Sequence, residues 1–404
     1  MNKETGLTTL SEHESTRQPE AHWSAVMAMT LCVFALVASE FMPVSLLTPL
    51  SRDLGVSEGL AGQGIAISGA LAVLTSLSIS RLARNLDRKM LLLGMTLLMA
   101  LSGGIIAVAP NYLTYMAGRA LIGVAIGGLW SMSAATAIRL VPGDKVPLAL
   151  AIFNGGTALA TVIAAPLGSY LSSTIGWRGA FLCLVPVALM VFIWQWISLP
   201  AMAADKPNPR GGSLFSLLRN PLVAVGMAAC GLFFMGQFAL FTYVRPFLET
   251  VIHVSATGLS LTLLVIGVAG FIGTLLIGWF LRLGFYLTLV LIPLLMATIA
   301  VLLIAAGHST LTATLLLGLW GLIATAAPVG WWAWVARTLP DNAEQGGGLM
   351  VAVVQLSIAL GSTLGGVAFD HTGYQSTFVI SAALLLIAAA LTFFASRRDS
   401  FTDH

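Results

Sequence analysis

Runs of about twenty apolar residues follow one another along almost the whole chain, and only a lipid-spanning fold satisfies such a pattern. They fall at 24–49, 60–80, 90–110, 112–138, 147–172, 179–199, 222–248, 258–281, 285–306, 310–335, 347–369 and 376–395. Several connections between them are very short, as at Asn111 and at Leu283-Gly284, so neighbouring spans run antiparallel. Composition removes the alternative of a large soluble core. Of 404 residues 58% are hydrophobic and only 9% are charged, where a soluble domain carries roughly 25% charge. Mean hydropathy is +0.94. The expected fold class is an all-α membrane protein of twelve transmembrane helices.

The basic residues set the expected orientation, because short cytoplasmic loops collect Lys and Arg. With the N-terminus inside, the interior segments hold Lys3, Arg17, Arg81, Arg84, Arg88, Lys89, Arg139, Lys145, Lys206, Arg210, Arg219, Arg282, Arg337, Arg397 and Arg398, while the outside loops hold Arg52 and Arg178. Both termini are therefore expected in the cytoplasm, with the chain in a bacterial inner membrane. A net charge of +3, scattered by loop, gives no surface for nucleic acid. Cys32, Cys183 and Cys230 lie far apart in apolar runs, and the six histidines sit in tails or at loop edges. Neither set has metal-ligand or redox spacing. Residues 1–22 are polar and rich in Glu, Ser and Thr, and read as a disordered cytoplasmic tail rather than a targeting peptide.

The longest interior loop contains Lys206-Pro-Asn-Pro-Arg-Gly-Gly212, a linker composition. It divides the chain into 1–22, a six-span half at 23–199, a linker at 200–221, a second six-span half at 222–395 and a tail at 396–404. The halves echo each other. Gly168 and Gly365, Gly176 and Gly373, and Phe181 and Phe378 are related by one offset of 197 positions. Two related six-span halves form a transporter architecture, with the solute held between them near the bilayer midplane.

These features carry a resemblance to the major facilitator superfamily. Arg119-Ala-Leu-Ile-Gly123 resembles its span-4 Arg-x-x-x-Gly motif. Gly155-Gly156, Ala165-Pro166-Leu167-Gly168 and the exit Gly176-Trp177-Arg178 resemble the span-5 antiporter motif. Ser39-Glu40-Phe41-Met42-Pro43 is similar to the span-1 acidic motif of twelve-span drug:proton antiporters. The loop after span 2 departs from the pattern: Arg84 stands where the family has aspartate, and Asp87 where it has glycine. Within the superfamily, Pro43–Pro49, Ser57-Glu58-Gly59, Ala61-Gly62-Gln63, Ala164–Ser169, Gly236–Ala239, Tyr243–Pro246 and Pro328–Trp331 resemble bacterial purine ribonucleoside efflux pumps. The resemblance implies alternating-access export of purine ribonucleosides and their analogues, with the proton as coupling ion and no other cofactor. A monomer is expected, since one chain supplies both halves.

Glu40 is the one acid inside a span, and an intramembrane carboxyl marks a functional site by default. Removal from water penalises a carboxylate and a nearby cation favours it. Glu40 with Arg119, at matching depth in span 4, is therefore the expected proton-coupling pair; the plainer reading is a static pair holding the first half together. Arg245, beside Pro246 near the outer end of span 7, is read as a substrate contact, an outer-gate residue or a side chain snorkelling to the interface. A nucleoside needs aromatic faces and neutral hydrogen-bond partners. Trp130, Asn154, Gln237, Phe238, Phe241, Tyr243, Trp320 and Gln355 supply them inside spans, with helix-to-helix hydrogen bonding as the alternative for the amides. Gly123, Gly156, Pro166, Gly168 and Gly365 are read as packing and rocking positions, as are Gly127, Gly128, Gly155 and Gly366. Trp194, Trp196, Trp331, Trp332 and Trp334 are expected in the interfacial belts.

Other solutes compatible with this framework are sugars and amphipathic drugs. A transporter-like sensor is a further reading, although no loop offers room for an output domain. No set of side chains at membrane depth supports bond chemistry, and no Walker motif supports ATP-driven pumping.

Overall fold

The computed structural model describes residues 21–82, 86–202 and 214–402. Fourteen α-helices make up the described chain: α1 (Trp23–Leu54), α2 (Glu58–Leu82), α3 (Arg88–Ala107), α4 (Tyr112–Arg139), α5 (Val146–Leu182), α6 (Leu184–Ser198), α7 (Pro221–Phe241), α8 (Val244–Thr250), α9 (Ala256–Leu283), α10 (Phe285–Ala306), α11 (Thr310–Ala324), α12 (Ala327–Thr338), α13 (Ala343–Thr372) and α14 (Tyr374–Thr402). Among the described residues there is no strand, as lipid demands of backbone that must satisfy its own hydrogen bonds. Eleven helical stretches are long and apolar enough to cross a bilayer, and one of them, Gly143–Ser198, is 56 residues long. It breaks at Gly176, where φ is 77°, and so contains two spans. The total is twelve.

The internal repeat is visible in backbone geometry. Gly176 and Gly373 occupy the left-handed region at φ 77° and 81°, where a Cβ is strained. Each reverses the chain between the fifth and sixth spans of its half. The halves differ in continuity. Span 7 is broken at Thr242-Tyr243 into α7 and α8, and span 10 at Thr325-Ala326 into α11 and α12. The helix starts are capped where side chains allow: Asp87, Asn220, Ser255 and Ser309 each accept an amide hydrogen of the following turn.

Helices approach closely through small residues. A Cβ on Gly123 would stand 2.3 Å from the Ser68 carbonyl of α2, and one on Gly156 2.3 Å from the Thr30 carbonyl of α1. A Cβ on Gly168 would meet Ser45 Oγ at 2.6 Å, and one on Gly365 the Ala239 carbonyl of α7 at 2.4 Å. Gly155 behaves otherwise: nothing lies within 4 Å of its Cβ position. Large apolar side chains such as Leu74, Leu113, Ile197 and Leu275 are exposed, toward lipid.

One expectation changes and three details are added. Trp331 and Trp334 are not belt residues but buried side chains of the second half, and Trp334 packs on Gly226 while its Nε1 donates to Tyr286 Oη at 3.3 Å. Cys183 is exposed, whereas Cys32 and Cys230 are buried. α14 continues to Thr402, so Arg397 and Arg398 of the terminal segment are helical. Asp87, at the altered loop motif, accepts from Lys89 N at 2.7 Å and Met202 N at 3.0 Å, fastening the exit of α6 to the start of α3. The readings made for residues 1–20 and 203–213 lie outside the described residues.

Candidate functional site

α1, α2 and α5 of the first half face α8, α13 and α9 of the second. The face of the bundle holding the start of α1 and the end of α14 is called here the terminal face, and the opposite one the distal face. The side-chain hydrogen bonds between the halves among the described residues include a set at mid-depth and toward the distal face. Gln63 Oε1 accepts from Thr363 Oγ1 at 3.1 Å, Ser169 Oγ accepts from Ser260 Oγ at 3.0 Å, and the Asp370 carboxylate accepts from Ser57 Oγ at 2.5 Å and Gly59 N at 2.9 Å. Toward the terminal face Asn154 and Gly155 of α5 are exposed. These bonds close the halves together distally, and the exposed stretch of α5 marks the terminal side of the cleft between them.

The floor of this cleft forms around the middle of α1. Glu40 and Gln355 are 3% and 6% exposed. Gln355 Nε2 donates to Glu40 Oε1 at 3.0 Å, which ties α13 to α1 across the halves. The second amide atom, Gln355 Oε1, is buried without a partner within the protein, as are Gln237 Oε1 and Trp320 Nε1. Buried polar atoms left unpaired are costly. Beside them Phe41 of α1 stacks on Phe238 of α7 with centroids 5.6 Å apart, and Phe241 meets Phe238 edge-on at 6.1 Å. The Phe41–Phe238 stack and the open Gln355 acceptor lie where the halves meet.

Arg119 is arranged differently from the expected ion pair. Its guanidinium donates to Gly64 O at 2.9 Å, Ser39 O at 2.8 Å, Glu40 O at 3.3 Å and Ser68 Oγ at 3.0 Å. It reaches the backbone of Glu40, while the carboxylate turns to Gln355. The acceptor at Ser39 follows from sequence. Pro43 has no amide hydrogen to give to the carbonyl four residues back, and that carbonyl is Ser39's. Arg119 thus holds α1, α2 and α4 together inside the first half, fully buried.

Arg245 repeats the chemistry across the halves. Pro49 leaves the Ser45 carbonyl of α1 without its helical donor, and Arg245 Nη1 of α8 donates to that oxygen. Glu249 one turn on pairs with Arg245 at 2.8 Å. Tyr243 lies beside it: its hydroxyl donates to Ser362 O at 2.8 Å and its ring stacks on Phe369 at 5.4 Å. Tyr243 and Arg245 therefore belong to the distal closure and not to the floor of the cleft. Trp130 is half-buried against the core of the first half, and Asn154 is apart from the cluster on the exposed side of α5.

Sequence reading missed several contributors. Asp370, Gln63 and Thr363 join the halves, and buried Gln195 accepts from Thr96 Oγ1 at 2.8 Å within the first. At the distal rim Arg178 pairs with Asp53 and donates to Ala109 O. The two proline-freed carbonyls carried a signal all along: a proline four residues downstream, with lone arginines elsewhere in the spans.

Two six-span halves that meet around the middle of the bundle are the architecture of a membrane transporter. The family model of the Major Facilitator Superfamily matches residues 29–362, and the chain belongs to that superfamily; it is a membrane transporter and not an enzyme. The purine ribonucleoside efflux pump NepI of Salmonella typhimurium is 40% identical over 368 residues, covering 91% of this chain and 92% of the pump. A protein of Pseudomonas aeruginosa named transcription regulatory protein OpdE is 63% identical over 396 residues, covering 97% of this chain and 98% of that one. Among solved structures, a bacterial homolog of the human lysosomal transporter Spinster, in an inward-facing and unoccupied conformation, has a TM-score of 0.73 at 14% identity, covering 93% of this chain and 97% of that chain.

Proposed function

We propose that the protein exports purine ribonucleosides, such as inosine and guanosine, and purine analogues in exchange for protons. The observation that supports this most directly is the floor of the cleft. A buried carboxyl is held by an amide of the opposite half whose oxygen is left open, and the next residue of α1 joins a phenylalanine stack across the halves. A neutral base with N–H donors and a hydroxylated sugar complements such a surface. Identity of 40% to purine ribonucleoside efflux pumps over 91% of the chain points the same way. Glu40 is the proton carrier in this reading. Protonation removes the charge that Gln355 caps, so loading and unloading a proton alters the bond that joins the halves at mid-depth. Arg119 holds the α1 backbone around Glu40 in place. In the bacterial inner membrane the terminal face is cytoplasmic, which makes this the inward-facing state of a monomer.

The name of the Pseudomonas relative favours one alternative, a membrane protein that affects transcription. The longest connection between helices is the linker from 199 to 220, too short for a DNA-binding domain. An exporter still changes gene expression without touching DNA, by lowering the internal concentration of an inducing solute.

Everted vesicles loaded by an imposed pH gradient test the proposal. Inosine should accumulate when the interior is acidic, and collapse of the gradient should abolish the uptake. Purified Glu40→Gln in liposomes should bind inosine and move no protons with it. Undiminished proton counterflow in that variant removes Glu40 from the mechanism. Orientation is checked separately: in intact spheroplasts an impermeant thiol reagent should label His308→Cys and spare Leu218→Cys.

A further inference from the structure

The distal closure includes two contacts of a kind that side-chain patterns conceal. The first is the bond from Arg245 to the Ser45 carbonyl, an acceptor that exists because Pro49 follows four residues later. Glu249 grips the same guanidinium through Nε at 2.9 Å and Nη2 at 2.8 Å, which leaves Nη1 pointing at α1. The second is Asp370, near the end of α13. Its carboxylate takes the Gly59 amide and the Ser57 hydroxyl at the start of α2, while Ser57 Oγ accepts from Leu60 N at 3.1 Å. The first turn of a helix has amides without partners and a positive dipole end. Here a carboxylate from the other half takes one of them, the Gly59 amide.

Both contacts are fitted to a shut distal face. A Cβ on Gly59 would stand 2.6 Å from the Gly366 carbonyl, and one on Gly62 2.2 Å from the Tyr243 hydroxyl. The helices touch backbone to backbone at this level, so Arg245 and Asp370 reach their partners only while α1 and α2 lie against α8 and α13. A related acceptor occurs on α5. Pro166 frees the Val162 carbonyl, and Gly267 of α9 lies against it with its Cβ position 2.9 Å from the oxygen. No arginine meets that one, so α5 and α9 are left with close packing rather than a charged bond.

We propose that Arg245 and Asp370 form a distal latch, in which the Pro49-freed carbonyl and the start of α2 are acceptor and donor sites engaged only when the distal face is closed. Opening toward that face exchanges both contacts for water. The latch sets how the transporter divides its time between its two faces, whatever solute it carries. Loss of the latch and loss of nucleoside transport are therefore separable findings.

The test uses full-length protein in nanodiscs, with Cys183→Ser and spin labels at Thr174→Cys and His308→Cys, exposed positions at the distal ends of opposite halves. Electron–electron resonance then reads the distance distribution without solute. The parent should show one short distance. Arg245→Gln should raise the long-distance population by about tenfold, the weight of one charge-assisted hydrogen bond, and Arg245→Lys should restore most of the short one. Pro49→Ala offers the Ser45 carbonyl a donor within its own helix. It should shift the distribution in the same direction by less, and should add nothing on top of Arg245→Gln. Asp370→Ala should shift it independently, so that its effect multiplies with either. An unchanged distribution in Arg245→Gln, or full additivity of Pro49→Ala with Arg245→Gln, overturns the proposal. If Arg245→Gln fails to fold, an unchanged distribution in both Pro49→Ala and Asp370→Ala overturns it equally.

Discussion

Arg119 and Arg245 perform the same act in different places. Each donates to a carbonyl of α1 that a proline has freed, Ser39 for the one and Ser45 for the other. Arg119 comes from α4, in the same half as its acceptors, and its remaining donors go to Glu40 O, Gly64 O and Ser68 Oγ of that half. Arg245 comes from α8, in the opposite half. A bond within a rigid half is kept through the transport cycle, whereas a bond between halves is made and broken in each turn. Membership of a half, and not residue type or burial, decides whether a buried arginine fastens the structure or times its motion. The carboxyls divide similarly: Asp87 fixes α6 to α3 inside one half, while Glu40 and Asp370 reach across.

The comparison is broken most severely at Arg119. Arg119→Ala strips a buried network of its charge-assisted donors and should cost about 3–5 kcal/mol. Much of the protein should then fail to reach the membrane folded, as read by thermal unfolding in detergent. Retained parental stability means that Arg119 is not structural. Arg245→Gln should be milder, at about 1–1.5 kcal/mol of stability, because the other state of the cycle does without the bond. Equal losses from the two substitutions remove the distinction between them.

Gln355→Ala acts at the cleft floor. It removes both the cap on the Glu40 carboxylate and an open acceptor, and should weaken inosine binding by about 0.5–1.5 kcal/mol, measured by equilibrium binding. Gln237→Ala removes only an acceptor and should lose less; an equal loss, or none in either, displaces the proposed solute site. The smallest effects concern the prolines. Pro43→Ala returns a helical donor to Ser39 while Arg119 keeps its other contacts, so stability should change by less than about 1 kcal/mol with no shift in conformation. A conformational shift from Pro43→Ala as large as that from Pro49→Ala shows that the two carbonyls are not used differently.

The sequence alone determined the number of spans, the two halves and the turns that relate them. Those follow from the thickness of a bilayer, the scarcity of charge and the single offset that relates Gly176 to Gly373. It also singled out Glu40 and Arg119 as rare polar groups at one depth, for depth is a count of residues along a helix. What it could not supply was azimuth. Rotation about each axis, and the choice of neighbour among twelve packed helices, decided that the Glu40 carboxylate meets Gln355 rather than Arg119. The same packing made Tyr243 part of a closure and left Asn154 exposed. Backbone groups widened the gap. The main acceptors of Arg119 and the cross-half acceptor of Arg245 are carbonyls, identical at every position until a missing proline N–H and a tertiary contact single one out.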